Sequence, residues 1–331
     1  MTSPYENRYS NAMKTQNKIG ILLLNLGGPE RLEDVRPFLY NLFSDRQIIR
    51  LGPSFLQKPI AWAIARRRAP KSMANYARIG GGSPIRKKTE EQANALEQAL
   101  QKDRRFIVRP CMRYWHPFAT TALQEMQQAG VEEIVALPLY PHYSIATTGS
   151  SLSDLHQTRE RLELDIPIRD IHSWPTEPLF IACLADRIRT GLQTFHGAPV
   201  QVVYSAHSLP VQFIREGDPY VDHLQQTIAA VEDLTRIQGH LCYQSRSGPV
   251  EWLGPSLPEM LASLAKEGCA NVLVVPISFV SDHVETLYEI DIQYREMAEG
   301  LGLGFAMTTA LNADSRFIAG LRNLVLTCLK S

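Results

Sequence analysis

The segment Asn271–Tyr294 constrains the fold of this chain more than any other. It opens with an apolar, β-branched run from Asn271 to Val280, which contains a proline and is too short for an ordinary helix. Such a run predicts a buried strand, and fully buried strands are typical of parallel sheets covered by helices. Ser281-Asp282-His283 then forms a polar break with helix-capping character, and a helical pattern follows. The segment therefore predicts a strand–helix unit of an α/β protein.

The predicted helix has an apolar stripe that comprises Leu287, Ile290 and Tyr294. Three polar residues recur on roughly the opposite face at intervals of four: Glu285, Glu289 and Gln293. On an arbitrary helix such a face is usually solvated. A helix that follows a buried parallel strand, however, begins beside the crevice in which open α/β sheets bind ligands. Two hypotheses therefore stand for these side chains, a solvated surface and one wall of a ligand cleft.

The strand–helix pattern recurs along the chain with a period of about 30 residues, the size of a βαβ unit. Two segments align without a gap, AGVEEIVALPLYPHYS at residues 129–144 and EGCANVLVVPISFVSD at residues 267–282. The runs KIGILLLNLGGP and VQVVYSAHSLP form a weaker second match in the same order. This repeat predicts two similar Rossmann-like halves, each a parallel sheet flanked by helices, with a cleft between them.

The domain boundaries follow from these patterns. We expect a polar N-terminal tail over residues 1–17, a first half over residues 18–175 and a second half over residues 176–331. The second half ends in a C-terminal helix at residues 314–330. The tail lacks the apolar core of a signal peptide, and no apolar run approaches the ~20 residues of a membrane-spanning helix.

Charge and cysteine content narrow the classes of function. Lys plus Arg and Asp plus Glu each total 34, so net charge offers no argument for a nucleic-acid partner. The five cysteines are scattered without metal-type spacing, at Cys111, Cys183, Cys242, Cys269 and Cys328. We expect free thiols in a reducing cytoplasm.

Residues 51–70 combine apolar side chains with a cluster of arginines. The apolar members are Phe55, Leu56, Ile60, Trp62 and Ile64. Arg66, Arg67 and Arg68 follow directly. This pattern suits a contact with a membrane surface, or the lip of a pocket for an apolar ligand that carries carboxylates. The alternative is a helix packed on the core with a solvated basic end.

The Gly27-Gly28 turn after the first predicted strand is a candidate phosphate cradle. It lacks both the P-loop spacing and the full dinucleotide-binding fingerprint. We expect instead a tight turn at which a ligand approaches the backbone. A second glycine-rich turn, Gly80-Gly81-Gly82, precedes another helical pattern.

Unusual residues follow several of the predicted strands, where the C-terminal ends of parallel strands share one side of a sheet. They are Asn25-Leu26, Arg113-Tyr114, Tyr140 to Ser144, His207, and Asp282 to Glu289. Neither GxSxG nor HExxH occurs. His207 and Glu285 supply one imidazole and one carboxylate, which suit a transient divalent metal such as Fe²⁺ or the removal of protons. Two ligands are too few for a permanent structural metal.

A series of motifs in one order across about residues 18–300 resembles the ferrochelatases, which insert ferrous iron into protoporphyrin IX to make haem. They are LNLGGPE, YARIGGGSP, MRYWHP, LYPHYS with TTGSS, YSAHSLP, GDPY, QSRSGPVEWLGP and VPISFVSDHVETLYEID. The pair SAHSLP and SDHxETLYE carries the resemblance most specifically. The resemblance implies two Rossmann-like halves that clamp the porphyrin between them.

The resemblance also implies roles for particular residues. His207 and Glu285 match the metal-binding and catalytic histidine and glutamate of the family, and Glu289 matches an acid proposed to conduct metal or protons. Five positions match residues that bind the porphyrin or steady the site: Leu26, Arg78, Arg113, Tyr114 and Trp252. Residues 51–70 match the apolar lip through which the porphyrin enters.

Two departures from the family pattern matter. Gln293 stands where many relatives carry a third acid, which shortens the acidic row. Ile145 and Ala146 stand where animal relatives have a cysteine of a [2Fe–2S] cluster, and the chain ends soon after its last predicted helix. We expect no cluster and no required cofactor, with Fe²⁺ as a substrate.

The sequence thus predicts a ferrochelatase that acts on protoporphyrin IX and ferrous iron. One alternative is a chelatase for another tetrapyrrole or metal, such as coproporphyrin III. The other is a non-catalytic haem or porphyrin carrier. We expect a cytoplasmic protein with a peripheral contact on the inner face of the membrane through residues 51–70, and no nucleic-acid partner.

Overall fold

The computed structural model describes residues 18–49, 51–101, 106–246, 248 and 250–330. The predicted tail over residues 1–17 and the last residue, Ser331, lie outside the described residues. The described chain forms two parallel four-stranded sheets with helices packed on them.

The first half contains one of these sheets, with the strand order β2-β1-β3-β4. Its strands are β1 (Ile19–Asn25), β2 (Phe106–Met112), β3 (Glu133–Pro138) and β4 (Ile168–Asp170). Its helices are α1 (Val35–Ser44), α2 (Gln57–Ala77), α3 (Ile85–Leu100), α4 (Ala119–Gln128) and α5 (Ser150–Arg161). Short 3₁₀ turns at Leu32–Asp34 and Ser54–Leu56 lead into α1 and α2.

The second half repeats this plan with the strand order β6-β5-β7-β8. Its strands are β5 (Gln201–His207), β6 (Gly239–Gln244), β7 (Asn271–Pro276) and β8 (Gly304–Met307). Its helices are α6 (Pro178–Gln193), α7 (Val211–Arg215), α8 (Tyr220–Thr235), α9 (Leu257–Lys266), α10 (Arg295–Gly300) and α11 (Ser315–Cys328). The two sheets have the same order, which confirms the predicted pair of similar Rossmann-like halves.

The strongest sequence repeat corresponds to equivalent strands. Residues 129–144 contain β3 and residues 267–282 contain β7, and each strand ends at its matched proline, Pro138 or Pro276. Proline has no N–H to donate to a ladder, which explains why β7 is shorter than the predicted strand from Asn271 to Val280.

A π-helix follows in each half, at Ile145–Gly149 after β3 and at Glu285–Tyr294 after β7. The sequence pattern predicts a helix after Ser281-Asp282-His283, but the π form of that helix was not predicted. Helices of this kind are rare and often occur at functional sites. The second π-helix carries both Glu285 and Glu289.

The two halves share one hydrophobic core. It includes Leu96 from the first half, Tyr204 and Leu273 from the second, and Val325 of α11, all fully buried. Helix α11 packs against α3 of the first half and α6 of the second. Because the core is continuous, packing fixes the position of one half relative to the other.

The glycine turns approach each other rather than an open ligand space. Ser83 donates its backbone N–H to the carbonyl of Pro29 at 2.7 Å. A β carbon on Gly82 would overlap the carbonyl oxygen of Glu30, and one on Gly28 would lie 2.7 Å from the β carbon of Ser83. Close contact between two backbone turns therefore explains these glycines, and the predicted approach of a ligand is not needed for them.

We expect the substitution Gly82→Ala to lower the free energy of unfolding by about 1–3 kcal/mol, because the added methyl group has to displace backbone atoms. Urea denaturation monitored by circular dichroism measures this change in the free energy of unfolding. Gly300→Ala is the matched control, since a β carbon there meets no atom within 4 Å. A Gly82→Ala protein as stable as the wild type would contradict this account of the turns.

The 51–70 segment does not bury its apolar side. Helix α2 packs on the core through Ala61, Ala65 and Ala69, whereas Phe55 and Trp62 remain 77% and 48% exposed. The alternative of a helix whose large apolar residues face the core is therefore wrong for these two side chains. Two guanidinium groups lie over the indole of Trp62, those of Arg36 at 5.3 Å and Arg66 at 5.6 Å.

No helix among the described residues combines the length and the apolar character needed to cross a membrane.

Candidate active site

The C-terminal ends of three adjacent strands meet at one site in the second half. β5 is central and ends at His207, β6 ends just before Ser245, and the chain after β7 leads into the second π-helix. This placement brings the imidazole of His207 beside the carboxylates of Glu285 and Glu289, as the predicted convergence at the sheet edge requires.

His207 and Glu285 form the centre of the site. The imidazole Nδ1 lies 2.8 Å from Oε2 of Glu285. The side chain of His207 is 38% exposed and that of Glu285 is 18% exposed, so the pair is accessible from solvent. The backbone of His207 is held by Ser278 and Tyr220, whose hydroxyl donates to the His207 carbonyl at 3.1 Å. Since Nδ1 is used by Glu285, Nε2 is the nitrogen available to a ligand.

Ser245 connects the two glutamates, and sequence reasoning missed it. Its backbone N–H donates to Glu289 at 2.8 Å, and its hydroxyl lies 3.1 Å from Oε2 of Glu285 and also contacts Oε2 of Glu289. Ser245 has a φ of 64°, which is uncommon for a residue with a side chain and typical of functional sites. Its place directly after β6 was the available signal, because the other site residues also follow strands.

The acidic row of the helix turns inward. The Tyr294 hydroxyl donates to Oε1 of Glu289 at 2.8 Å, so a side chain predicted only for the apolar stripe is also a partner of the acids. Gln293 is exposed. The hypothesis of a solvated face is therefore wrong for Glu285 and Glu289, which form a hydrogen-bonded chain with Ser245 and Tyr294.

The charges of His207 and Glu285 stabilise each other. Burial alone raises the pKa of Glu285, but the charge and hydrogen bond of His207 outweigh it and bring that pKa down to about 2. Burial likewise disfavours a proton on His207, and the carboxylate of Glu285 overcomes this and raises the pKa of His207 above its usual 6.5.

Glu289 behaves differently from Glu285. Burial raises its pKa first, and the negative charge of Glu285 raises it further, against the hydrogen bonds from Ser245 and Tyr294. Two carboxylates whose environments push their pKa values apart can serve as a charged group and a proton-holding group at the same pH.

Two further residues contact this site without a predicted role. His283 is buried with its Nδ1 3.0 Å from the Ser281 carbonyl, and burial lowers its pKa. Its Nε2 has no hydrogen-bond partner in the part of the chain that the structure describes. Tyr76 of α2 is buried in one apolar cluster with Val284, the residue before Glu285, and its pKa is raised by burial and by the charge of Glu285.

Leu26, Tyr114 and Trp252, predicted to bind the porphyrin, lie near the site. Leu26 and Tyr114 belong to one apolar cluster with Tyr76 and with Val284, the residue before Glu285. Pro210, which is three residues after His207, pairs with Trp252 in an isolated β-bridge. These contacts connect Leu26 and Tyr114 to the residue before Glu285, and Trp252 to the loop after His207. The part of all three in porphyrin binding stays a prediction.

Arg113 faces in another direction. Its guanidinium lies 2.8 Å from Asp45 and 3.5 Å from Asp154, and its Nε donates to Ser150 at 2.8 Å. The Tyr114 hydroxyl also donates to Asp45, at 2.7 Å. Arg113 thus lines a polar cavity of about 400 Å³ within the first half, and its predicted part in the porphyrin pocket stays a prediction.

Arg78 reaches from the first half to the second. Its Nη2 lies 2.6 Å from Oε1 of Glu296 in α10, and its guanidinium lies 5.6 Å from the ring centre of Tyr288 in the second π-helix. The side chain predicted to meet the porphyrin is therefore at the edge of the site, next to the helix that carries the acids.

Within the described ranges no group of three or more His, Cys, Asp and Glu side chains has the geometry of a metal site. The five cysteines are free thiols, three of them buried and two half-buried. His207 and Glu285 are the candidate metal ligands.

The fold and the site define an α/β protein of two Rossmann-like halves that carries a histidine–glutamate pair at its strand ends. The cobalt complex of the sirohydrochlorin chelatase SirB from Bacillus subtilis subspecies spizizenii is similar to it, with a TM-score of 0.55, 12% identity and coverage of 95% of this chain and 96% of that chain. SirB from Bacillus subtilis with Fe³⁺ has a TM-score of 0.53 and 12% identity over 73% of this chain and 90% of that chain. At this identity the likeness concerns the fold.

Sequence similarity defines the family. The ferrochelatase profile matches residues 18–329. The ferrochelatase of Desulfotalea psychrophila is 58% identical over 307 residues, which cover 93% of this chain and 96% of that protein. The ferrochelatase of Geotalea uraniireducens is 50% identical over 311 residues, or 93% of this chain and 97% of that protein. This chain therefore belongs to the ferrochelatase family, whose members are lyases that insert a metal ion into a porphyrin.

Proposed function

We propose that this enzyme inserts Fe²⁺ into protoporphyrin IX to form protohaem, the last step of haem biosynthesis, with the release of two protons. The observation that carries the proposal is the hydrogen-bonded set of His207, Glu285, Ser245 and Glu289 at the strand ends that border the cleft. Metal insertion must remove two pyrrole protons and strip water from the metal, and this set offers groups for both tasks.

His207 is the proposed proton acceptor. A neutral imidazole can take a pyrrole proton at Nε2, while Nδ1 faces Glu285. The carboxylate then stabilises the imidazolium that forms, which is the arrangement that raises the pKa of this histidine. The stabilised imidazolium thereby favours the removal of a pyrrole proton near neutral pH, and no strong base in solution is needed.

The remaining acids provide an exit for the proton. Glu285 and Glu289 share the hydroxyl of Ser245, so a proton that leaves the imidazole can pass to Glu285 and then through this hydroxyl to Glu289, which holds it. The raised pKa of Glu289 suits a group that holds a proton between turnovers. His207 and Glu285 are also the proposed transient ligands that replace water on the incoming Fe²⁺.

The apolar surroundings suit a flat, largely hydrophobic macrocycle. Leu26, Tyr114 and Val284 belong to one cluster that joins the two halves, and Trp252 pairs with Pro210 in the loop after His207. The exposed apolar side chains Phe55 and Trp62 favour protoporphyrin IX over coproporphyrin III, because coproporphyrin III carries two further carboxylates in place of apolar groups.

An anaerobic assay with Fe²⁺ tests the proposal through the loss of porphyrin fluorescence. We expect turnover with protoporphyrin IX and a higher kcat/KM than with coproporphyrin III under the same conditions. Turnover confined to coproporphyrin III would reassign the substrate. Tight porphyrin binding without turnover for any metal would support the carrier instead.

We also propose that the exposed side chains of residues 51–70 contact the inner face of the membrane. Replacement of Phe55 and Trp62 by serine should weaken binding to anionic liposomes in a co-sedimentation assay about a hundredfold or more, since each aromatic side chain contributes roughly 1.5–3 kcal/mol when buried. Leu234→Ser is the matched control, because Leu234 is 46% exposed on α8. Unchanged co-sedimentation of the double variant would remove the membrane contact.

We propose further that the protein works in the cytoplasm without a [2Fe–2S] cluster and without nucleic acid. Ile145 and Ala146, which replace a family cysteine, begin the first π-helix. Protein purified after growth with a chelator should keep its activity and lack the visible absorption of a cluster.

A further inference from the structure

Arg78 and Glu296 form a bridge between the halves at the edge of the candidate active site. Arg78 is the residue directly after α2, and Gly80 and Gly81 follow it with φ angles of 101° and 93°. The backbone N–H of Gly81 donates to the Tyr76 carbonyl at 2.9 Å and closes the turn. This turn directs the guanidinium away from the first half and toward α10, where Glu296 accepts its hydrogen bond at 2.6 Å.

The position of the bridge relates it to the substrate. Glu296 is the second residue after the second π-helix. Tyr288, which lies beside the guanidinium, stands between Glu285 and Glu289 in that helix. A porphyrin metallated at His207 and Glu285 has its carboxylate side chains at the rim of the macrocycle, away from the nitrogens. Arg78 is a cation beside Tyr288 of the helix that carries the acids, and a planar guanidinium binds carboxylates well.

In the structure, the guanidinium of Arg78 is bound to the carboxylate of Glu296. The side chains of Arg78 and Glu296 are 47% and 58% exposed, so the bridge is weak and exchanges readily. A carboxylate of the substrate can then replace that of Glu296. On the basis of the proposed function, we propose that Glu296 is a specificity-determining residue that competes with a tetrapyrrole carboxylate for Arg78.

This competition predicts an effect that depends on the charge of the substrate. Glu296→Gln should lower the KM for protoporphyrin IX about two- to fivefold, the size of an exposed ion pair, because it removes the competing charge. The KM for protoporphyrin IX dimethyl ester, which lacks the charges, should stay unchanged, and so should kcat. Fluorescence titration without iron should give the same shift in Kd for the diacid.

Two further variants make the test specific. Glu299→Gln removes an exposed negative charge from the same helix and should leave both KM values unchanged. Arg78→Gln should raise the KM for protoporphyrin IX. Adding Glu296→Gln to this variant should have no further effect, because the guanidinium for which the two carboxylates compete is then absent.

The outcomes separate this inference from the proposed function. If the wild type metallates protoporphyrin IX but Glu296→Gln leaves its KM unchanged or raises it, or shifts the acid and the ester equally, the role of Glu296 is overturned. If the wild type neither binds nor metallates either porphyrin, the proposed function fails too.

Discussion

His207→Ala is expected to reduce the rate of Fe²⁺ insertion into protoporphyrin IX by about 10²–10⁴-fold, the usual contribution of a positioned general base. The variant removes the proposed proton acceptor and one of the two candidate metal ligands, and it leaves Glu285 without the positive partner that lowers its pKa. Porphyrin binding should survive, because the apolar cluster around Leu26 and Tyr114 does not depend on the imidazole. An anaerobic fluorescence assay and a titration without iron measure the two properties separately.

The chain contains a matched control for this variant. His156 forms a similar pair with Asp170, with 2.7 Å between Nε2 and Oδ2, but it lies on α5 of the first half. His156→Ala should therefore leave the rate of metal insertion unchanged. Equal losses in the two variants would indicate a general effect of histidine removal, and an active His207→Ala protein would refute the assigned mechanism.

Glu285→Gln is expected to lower the rate of metal insertion by about 10²-fold or more while porphyrin binding survives. The amide keeps the shape of the side chain but cannot stabilise an imidazolium or bind Fe²⁺ as a carboxylate does. If porphyrin binding is lost together with the rate, Glu285 has a structural role instead.

The same variant should change the titration of His207. In the wild type, the pKa of His207 is above 6.5 because the carboxylate of Glu285 outweighs burial. In Glu285→Gln burial remains and the charge is gone, so the pKa should fall and the neutral base should persist to lower pH. The acidic limb of the pH–rate profile should therefore also move to lower pH, although the rate of metal insertion is reduced at every pH.

NMR of the histidine ring protons measures this shift without reference to activity, with His207→Ala identifying the signal. Asp170→Asn is the control, since it removes the carboxylate beside His156 and should leave the titration of His207 unchanged. A His207 pKa that is equal in the wild type and in Glu285→Gln would contradict the ion pair.

Much of the fold was predictable because it depends on local pattern. The buried strand after Asn271 and the repeat between residues 129–144 and 267–282 follow from runs of apolar residues, whose burial is required wherever they lie. The convergence of His207 and Glu285 was also predictable, since the C-terminal ends of parallel strands share one edge.

Other parts of the site depend on contacts that no local pattern contains. Ser245 joins Glu285 and Glu289 because its backbone adopts a left-handed conformation after β6, and a serine in the sequence does not specify that conformation. The π form of the second helix likewise arises in the folded chain. Arg113 matched a pocket position by motif, yet its guanidinium lies against Asp45, 68 residues away in the chain.

The sequence alone therefore determined the two Rossmann-like halves and the pairing of His207 with Glu285, because burial and strand direction act over short stretches of chain. Only the tertiary structure decided that Ser245 links the two glutamates, that Tyr294 donates to Glu289 and that Arg78 meets Glu296. The contacts of Ser245 and Arg78 join residues far apart in sequence, and packing in the folded chain sets their distances.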